Sequence, residues 1–406
     1  MEKLAIEGGK PVRTEPFPGR TPFGDEEVEL VTQAIRSQNL FRYGGTMVSR
    51  LEEEFPKAYG VGYGVASTSG TSAIHVAVGA IDPNPGDEII TAPITDLGSV
   101  IPILCQNAIP VFADVDDTYN IDPEDVERRI TPRTRAIVVV HLFGNPCDMD
   151  AILDISKRHG IPIIEDCSQA HMTRYKGRYV GTIGDIGAFS FQQSKHMTTG
   201  DGGMTVTDDE TYWERMKLFA DKGYSRGKHG PRAYVAHGMN YRMTELQGAV
   251  GLAQLKKVRS VVERRMKLGD LLSELISDVD GIKPAPKTPG AEHSYWSYPL
   301  RVERWSATDF ARALSAEGVG AGAGYIGKPI FLCAESLYSK RVYGNSGCPF
   351  DCKYTTGTYR YDEDTCPHTV EVLNHMVNFT FNENYTEADI EDIARAIRKV
   401  ACGLKT

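Results

Sequence analysis

The amino-acid sequence predicts an α/β protein whose centre is a mostly parallel β-sheet with helices on both faces. From about residue 61, short apolar runs alternate with helical patterns at the spacing of strand and helix units. The runs AIVVVH (136–141) and IPIIED (161–166) are continuous rather than alternating, which is typical of strands buried on both sides. Because such sheets bind ligands at the carboxyl ends of their strands, we expect the functional site at that edge.

The elements of this sheet follow one another in the first half of the chain. A surface helix is predicted at Asp25–Gln38, where Val28, Val31 and Ile35 share one face and acidic residues occupy the first turn. The predicted strands are Val61–Ala66, Glu88–Thr91, Ile109–Asp114, Ala136–His141, Ile161–Glu165, Ile186–Phe191 and Gly203–Asp208. The predicted helices between them are Thr71–Ala80, Asp125–Ile130 and Asp148–Arg158. This alternation is what a covered parallel sheet requires.

A second, smaller α/β domain is predicted in the C-terminal part of the chain. The helical pattern from Met243 to about Leu272 is long enough to bridge two domains. A predicted strand, helix and closing helix follow at His293–Val302, Ala307–Ala316 and Glu387–Val400. We therefore expect a large domain over residues 1–260 and a small domain over 261–406. The region Cys333–Cys366, rich in Tyr, Gly and Asp, is predicted to be loop.

Composition and charge restrict the class of protein. The 406 residues are 41% hydrophobic and 24% charged, which is the balance of an ordinary globular protein. Lys and Arg number 45 against 54 Asp and Glu, so the net charge is −9 and the cationic surface that nucleic acids or anionic lipids require is missing. Apolar runs stop short of the roughly 18 residues of a membrane span. We expect neither nucleic acid nor membrane as a partner.

The eight cysteines are scattered, and the N-terminus has no apolar leader segment, which together predict reduced thiols in a cytoplasm. Cys348, Cys352 and Cys366 form the one cluster that could hold a metal ion, but their spacings are not the C-x2-C pairs of structural zinc sites. We interpret them as ordinary thiols and predict no metal site.

The turn from Ser67 to Ser72 is the first segment that could carry chemistry. It is small, rich in hydroxyl groups and leads directly into a predicted helix, so its free N–H groups, its hydroxyls and the positive end of the helix dipole suit a phosphate. An equally weighted alternative is that Ser and Thr here only cap the helix.

Asp166 and Lys195 are the next candidates. Asp166 ends a predicted central strand, where a carboxylate needs a cationic or hydrogen-bonding partner. Lys195 stands between a buried strand and a Gly-rich turn, where partial desolvation would lower its pKa and make its amine nucleophilic. Taken one at a time, the alternatives are a structural helix cap for Asp166 and a solvated surface residue for Lys195.

The three segments together favour a pyridoxal phosphate site. This cofactor needs an anchor for its phosphate, an anion that keeps its ring nitrogen protonated and an amine for the Schiff base, after which it acts as an electron sink. The turn at 67–72, Asp166 and Lys195, 29 residues beyond Asp166, supply one part each.

Four motifs carry a resemblance to a known family: SGTSAI (69–74), EDCSQAH (165–171), GAFSFQQSKHMTTGDGG (187–203) and MNYRMTELQGAVGLAQL (239–255). With these motifs the chain resembles the DegT/DnrJ/EryC1/StrS family of pyridoxal phosphate-dependent sugar aminotransferases, from GGKPV (8–12) to the C-terminal helix. The resemblance implies fold type I, the aspartate aminotransferase-like fold, with a large sheet domain and a smaller C-terminal α/β domain. It also implies a homodimer with shared active sites.

The resemblance assigns roles to single residues. Lys195 matches the lysine of the Schiff base, and Asp166 matches the carboxylate that pairs with the pyridinium nitrogen. Gln169 matches the residue that contacts the ring hydroxyl.

The phosphate contacts of the family correspond to Gly70, Thr71 and Ser190. Asn240 matches an asparagine that the neighbouring subunit contributes to the same phosphate site.

Two departures from the family pattern concern the substrate side. Where the family has an aromatic residue stacked on the cofactor ring, this chain has Asp96, and a carboxylate cannot replace the area and dispersion of a ring. Either the ring is clamped differently or a neighbour such as Ile94 covers it. Gly324-Tyr325 replaces a frequent His-Tyr pair, so one substrate contact is expected to be absent. Of two histidines near the predicted site, His141 is interpreted as a core residue, while His171 is a candidate for the pocket.

By resemblance, the predicted function is transfer of an amino group from glutamate or glutamine to a keto group of a sugar or cyclitol, in amino-sugar, aminocyclitol or antibiotic biosynthesis. The segment Phe41–Gly45 and the GGKPV start are similar to the aminocyclitol and aminohydroxybenzoate branch, with nucleotide-linked ketosugars the next choice. The alternatives are a dehydratase of the same fold, in which His replaces the lysine, and a binding protein without catalysis.

Overall fold

Three β-sheets organise the chain in the computed structural model, which describes residues 2–405. The strands are β1 Tyr63–Ser67, β2 Glu88–Thr91, β3 Ile109–Phe112, β4 Thr134–Val140, β5 Ile163–Asp166, β6 Arg174–Tyr175, β7 Arg178–Tyr179, β8 Ile186–Ser190, β9 Gly203–Thr207, β10 Ile282–Lys283, β11 Ala291–Glu292, β12 Tyr298–Val302, β13 Gly322–Ala323 and β14 Met376–Phe379. The helices are α1 Asp25–Arg36, α2 Met47–Tyr59, α3 Gly70–Ile81, α4 Ile101–Cys105, α5 Pro123–Arg129, α6 Met149–His159, α7 Glu210–Ala220, α8 Glu245–Ile276, α9 Ala307–Ala316, α10 Ile330–Cys333, α11 Glu335–Tyr338, α12 Pro367–His375 and α13 Glu387–Gly403.

The large sheet has seven strands in the order β1-β9-β8-β5-β4-β2-β3. The pairs from β8 through β5, β4 and β2 to β3 are parallel, and β9 runs antiparallel to both of its neighbours. Strands β1, β4, β5 and β8 therefore end at the same edge. The predicted mostly parallel sheet is confirmed, and its carboxyl edge brings together the segments that follow these strands.

Helices cover this sheet on both faces. Alternate residues of each strand enter two different apolar clusters: on β4, Ile137 and Val139 belong to one cluster and Ala136 and Val138 to the other. A strand whose two sides both face a core has no polar side, which is why AIVVVH reads as a continuous apolar run.

A smaller antiparallel sheet, β10-β12-β14-β13, lies in the C-terminal part of the chain and packs with α9 and α13. Helix α8 serves both cores. Val258 and Val262 belong to the cluster of the large sheet, whereas Leu268 and Leu272 belong to the cluster of the small one. The change of core thus falls inside α8, and the boundary between residues 260 and 261 stays a prediction.

Helix α1 confirms the predicted surface helix, and an acidic residue lies on the side that it buries. Val28 and Ile35 are 65% and 53% exposed, while Glu27 and Ala34 are buried. The carboxylate of Glu27 accepts a hydrogen bond from the Gly24 amide at the helix start and another, 2.8 Å long, from Gln254 of α8. These bonds hold the Glu27 side of α1 against α8, so Val28 and Ile35 stay exposed on this predicted surface helix, while Val31 packs against the core.

Other elements have no counterpart in the predictions. Helices α2, α7 and α12 and strand β14 were not predicted, and the Cys333–Cys366 region is loop apart from α11, the end of α10 and a single turn near residue 364. Among the described residues, no helix is both long and apolar enough to cross a membrane.

Candidate active site

A cavity of about 350 Å³ lies at the carboxyl edge of the large sheet. Its lining includes six residues that the sequence singled out: Gly70, Thr71, Asp166, Gln169, Ser190 and Lys195. The seventh, Asn240, is exposed and does not line this cavity. The fold therefore brings together segments that lie up to 125 residues apart in the chain, because their strands end at the same edge.

The turn before α3 caps the helix and leaves further donors free. The Ser69 hydroxyl accepts from the Ser72 amide at 3.0 Å, and the Ser72 hydroxyl accepts from the Ser69 amide at 2.8 Å. This capping box satisfies the alternative interpretation of the serines. The amides of Gly70 and Thr71, however, enter no hydrogen bond within residues 2–405. Free amides at a helix start suit an anion.

Gly70 permits a close approach between this helix start and β8. A Cβ atom at position 70 would lie 2.6 Å from the Cβ and 2.7 Å from the Oγ of Ser190, which is too close for any side chain. The glycine thus lets the Ser190 hydroxyl stand beside the helix terminus. The cradle has the donors that a phosphate group needs.

Asp166 is a buried carboxylate at the end of β5. Its Oδ2 accepts from the Ser99 hydroxyl at 2.7 Å, and its Oδ1 accepts from the Ser168 amide at 3.0 Å. The Thr95 hydroxyl lies 2.6 Å from that of Ser99. Within the described chain no Lys, Arg or His forms a salt bridge with Asp166. A buried carboxylate without an ion-pair partner favours a ligand that brings a positive charge. Thr95 and Ser99 carried no recognisable signal in the sequence.

Lys195 is largely enclosed between the cavity and Trp296. Burial lowers the pKa of Lys195 to about 8, while the carboxylates of Asp166 and Asp96 act in the opposite direction. Its Nζ lies 4.0 Å from the centroid of the Trp296 ring, and the indole N–H donates to the Ser194 carbonyl at 3.0 Å. Trp296 precedes β12 in the C-terminal part and was not predicted. A lysine of lowered pKa is a candidate nucleophile.

Both the oxygen and the nitrogen of the Gln169 side-chain amide form hydrogen bonds. Its Oε1 accepts from the Phe143 amide at 2.8 Å, and its Nε2 donates to the Tyr325 hydroxyl at 3.0 Å. Tyr325 also lines the cavity, and burial raises its pKa to about 12. The C-terminal part therefore contributes a phenol to the site next to Gly324, which offers no side chain.

Asp96 occupies the position where an aromatic residue was expected. Its Oδ1 accepts from the Gly98 amide at 2.8 Å, and its exposed side chain lines the cavity. Ile94, in contrast, is fully buried in an apolar cluster with Leu142 and Phe143 and does not line the cavity. The suggestion that Ile94 covers this side of the site is wrong, because strand β2 and the following turn direct it into the core.

The N-terminal segment contacts the loop after β8 that carries Lys195, here called the lysine loop. The Arg20 guanidinium donates to the backbone carbonyls of Lys195 and His196, each at 2.5 Å, and forms a salt bridge of 2.8 Å with Glu383. Arg20 was not predicted, since a lone arginine in a Pro- and Gly-rich lead-in has no periodic pattern that would mark it.

The two histidines lie outside the cavity. His141 is buried, donates through Nε2 to Glu165 at 2.9 Å and accepts the Cys147 amide at Nδ1, so its interpretation as a core residue is confirmed. His171 does not line the cavity. Its Nε2 donates to the Ser190 carbonyl at 2.8 Å, and burial lowers its pKa to about 4. The prediction that His171 could face the pocket is therefore wrong.

Pyridoxal phosphate meets each requirement of this cavity in turn. Its phosphate needs the anion cradle beside Gly70, its pyridinium nitrogen provides the cation that Asp166 lacks, and its aldehyde reacts with an amine such as that of Lys195. A mostly parallel seven-stranded sheet and a smaller antiparallel sheet frame the cavity. Fold and site together define the class as a pyridoxal phosphate-dependent transferase of fold type I.

Residues 22–398 match the model of the DegT/DnrJ/EryC1/StrS aminotransferase family, and the chain belongs to this family. The resemblance found in the four motifs is thereby confirmed. The protein is a pyridoxal phosphate-dependent aminotransferase.

Individual proteins are similar over much of their length. A Micromonospora echinospora protein with the provisional name L-glutamine:3-amino-2,3-dideoxy-scyllo-inosose aminotransferase is 41% identical over 291 residues, 71% of this chain and 70% of that protein. GDP-perosamine synthase of Escherichia coli O157:H7 is 37% identical over 272 residues, 67% of this chain and 73% of the synthase. The solved structure of S. venezuelae DesV has a TM-score of 0.85 at 26% identity and covers 97% of this chain and 100% of that one.

Proposed function

We propose that the protein transfers an amino group from glutamine or glutamate to the keto carbon of a cyclitol or sugar, in amino-sugar, aminocyclitol or antibiotic biosynthesis. The observation that carries this proposal is the joint position of Lys195 and Asp166 on one cavity beside an anion cradle. One similar protein is named for a cyclitol ketone and another for a nucleotide-linked amino sugar, so both kinds of ketone are candidates.

Lys195 performs the proton transfers in this proposal. With a pKa of about 8, its Nζ is uncharged in a useful fraction of molecules near neutral pH and would be the amine that holds the cofactor through its aldehyde. Bound pyridoxal phosphate supplies an electron sink for the electron pair of the broken C–H bond. Once displaced by the amine of the donor, Lys195 Nζ would carry a proton from the donor carbon to the cofactor in the first half-reaction and from the cofactor to the former keto carbon in the second.

Asp166 and its neighbours set the electronic state of the ring. The carboxylate keeps the ring nitrogen protonated, and Ser99 and the Ser168 amide hold both of its oxygens in place. Gln169, held by the Phe143 amide and Tyr325, offers a contact for the ring hydroxyl.

Gly70, Thr71 and Ser190 bind the phosphate through amides and hydroxyls in this proposal. Asn240 completes the same site from the partner subunit, which agrees with its exposure and its distance from the cavity of its own chain.

We infer a homodimer from an exposed apolar surface near α1. Large apolar side chains between 42% and 65% exposed follow one another along the N-terminal part: Phe23, Val28, Ile35, Leu40, Phe41 and Tyr43. Apolar side chains concentrated in this way mark a protein interface. All eight cysteines are free, which supports a reducing, cytoplasmic setting.

The test is the absorbance spectrum of the protein with pyridoxal phosphate, for wild type and Lys195→Ala, before and after glutamine or glutamate is added. We expect a visible band that requires Lys195 and is lost when the donor is added, followed by its recovery with a keto acceptor. Without a Lys195-dependent band the proposal fails. A band that no amino donor changes would instead favour a dehydratase or a protein that only binds the cofactor.

A further inference from the structure

A turn in the C-terminal part of the chain carries two cysteines that the proposed function does not use. The Asp351 amide donates to the Gly347 carbonyl at 2.7 Å and closes this turn. A Cβ atom on Gly347 would lie 2.8 Å from that of Asp351, so the two sides of the turn lie close together because position 347 has no side chain. Cys348 and Cys352 each follow one member of this pair, which brings them side by side.

The backbone around the two cysteines is fixed by its neighbours. Phe350 is buried and packs edge-on against Tyr361, with 5.6 Å between the ring centroids. The Thr355 hydroxyl donates to the Pro349 carbonyl, and the Thr355 amide donates to the Cys352 carbonyl at 2.9 Å. The turn is therefore anchored in the protein, while both cysteine residues between and beside these anchors are partly exposed.

The two thiols act on each other. A hydrogen bond between them raises the pKa of Cys348 and lowers that of Cys352. The Asp351 carboxylate also raises the pKa of Cys348, whereas the backbone amide groups near Cys352 lower its pKa further. Burial raises the pKa of three other thiols, those of Cys147, Cys167 and Cys366. An accessible thiol that ionises readily beside a second thiol is the usual arrangement of a redox-sensitive pair.

We propose that Cys348 and Cys352 form a reversible redox site, which a hydroperoxide closes to a disulfide. The inference replaces the interpretation of these two cysteines as ordinary thiols. It is independent of the proposed function, since neither residue lines the cavity. An accessible disulfide is open to exchange with other thiols, so a reducing cytoplasm would restore the pair after oxidation.

The oxidation takes place in two steps. The Cys352 thiolate attacks one oxygen of the hydroperoxide, the O–O bond breaks, and Cys352 becomes a sulfenic acid while an alcohol or water leaves. The Cys348 sulfur then attacks the Cys352 sulfur, the S–O bond breaks, and the hydroxyl leaves as water with the proton of the Cys348 thiol. The two thiols together lose one electron pair and the hydroperoxide gains it.

The experiment maps the oxidation products of the full-length protein. Reduced wild type is treated with an equimolar amount of hydrogen peroxide, the remaining thiols are blocked with N-ethylmaleimide, and the peptides are analysed by mass spectrometry. We expect the peptide with Cys348 and Cys352 to be unblocked at both positions and about 2 Da lighter than its reduced form, and dithiothreitol to reverse the change. In Cys348→Ser, which lacks the second thiol, Cys352 should instead accumulate as sulfenic or sulfinic acid.

Cys402→Ser is the matched control, because Cys402 is an exposed thiol on α13 outside this turn. This variant should form the same disulfide as wild type. In wild type, Cys352 should react with iodoacetamide about fivefold faster than Cys402 at about pH 7. Equal reactivity of Cys352 and Cys402, the absence of the Cys348–Cys352 disulfide, or mainly intermolecular disulfides would each overturn the redox site.

Discussion

At the scale of single residues, the site depends on charges that are enclosed but not paired. Asp166 is held by hydroxyl and amide donors without a cation, and Lys195 is enclosed beside Trp296 with a pKa of about 8. Each group would be costly in a folded protein unless a ligand or a change of protonation compensated it. The unpaired state of these residues is therefore the clearest mark of function in the molecule.

The lowered pKa of Lys195 predicts a pH dependence for cofactor attachment. Only the uncharged amine attacks an aldehyde, so the rate at which cofactor-depleted protein gains its visible band should rise about tenfold between about pH 7 and pH 9 and then level off. The rate is measured by stopped-flow absorbance. A rise that continues beyond about pH 10 would mean an ordinary lysine pKa.

Two variants refine this prediction. Asp96 raises the pKa of Lys195, so removing its charge in Asp96→Asn should move the midpoint to lower pH. Asp201→Asn, whose carboxylate is not among the groups that act on Lys195, should leave the midpoint in place.

At the scale of elements, the N-terminal segment before α1 supports the lysine loop. Arg20 and Arg13 anchor this segment at two points and are equally enclosed, with side chains 15% and 16% exposed. Arg13 binds Asp389 of α13, whereas Arg20 binds the carbonyls of Lys195 and His196. Both arginines thus tie the segment to the C-terminal part, and Arg20 alone also binds the loop that carries Lys195.

Arg20→Ala should lower kcat about tenfold, because a small displacement of the lysine is enough to spoil its alignment with the substrate carbon. It should also reduce the free energy of unfolding by about 1–3 kcal/mol through the loss of charged hydrogen bonds. Arg13→Ala is the control: thermal unfolding should show a comparable loss of stability, while kcat stays near that of wild type. Equal losses of kcat in both variants would mean that Arg20 only tethers the segment.

At the scale of the whole molecule, the apolar side of α1 and the position of Asn240 point in the same direction. The exposed Val28 and Ile35 would be unfavourable in a monomer, and Asn240 lies outside the cavity of its own chain. A second copy of the chain would explain both observations, since a symmetric dimer buries the same surface on each subunit.

Shared sites can be tested by mixing two inactive proteins. Lys195→Ala removes the amine of its own site, and Asn240→Ala is expected to damage the site of the partner. A mixed dimer, made of one subunit of each variant, contains one site with both residues intact. Since half of the dimers in an equal mixture are mixed, the mixture should regain roughly a quarter of wild-type activity. Activity is measured after subunit exchange, with each variant alone as the control. If the mixture recovers no activity although Asn240→Ala alone is clearly impaired, Asn240 acts in the active site of its own subunit.

The sequence by itself determined the large sheet and six of the residues that line the cavity. Strands buried on both faces leave continuous apolar runs, and a parallel sheet sends every strand-end residue to one edge, so Asp166 and Lys195 could be placed in one site from their positions alone. The chemistry of a phosphate cradle, a carboxylate and an amine then restricted the cofactor to pyridoxal phosphate.

Only the tertiary structure decided which side chains complete that site and which way surface elements face. Trp296, Tyr325 and Arg20 arrive from distant segments through packing of the C-terminal and N-terminal parts, and no local periodicity records such contacts. The burial of Glu27 in α1, beside the exposed Val28, depends on the hydrogen bond that Gln254 of α8 donates to its carboxylate. Local patterns specify elements because they reflect burial along one segment, whereas contacts between segments exist only once the chain has folded.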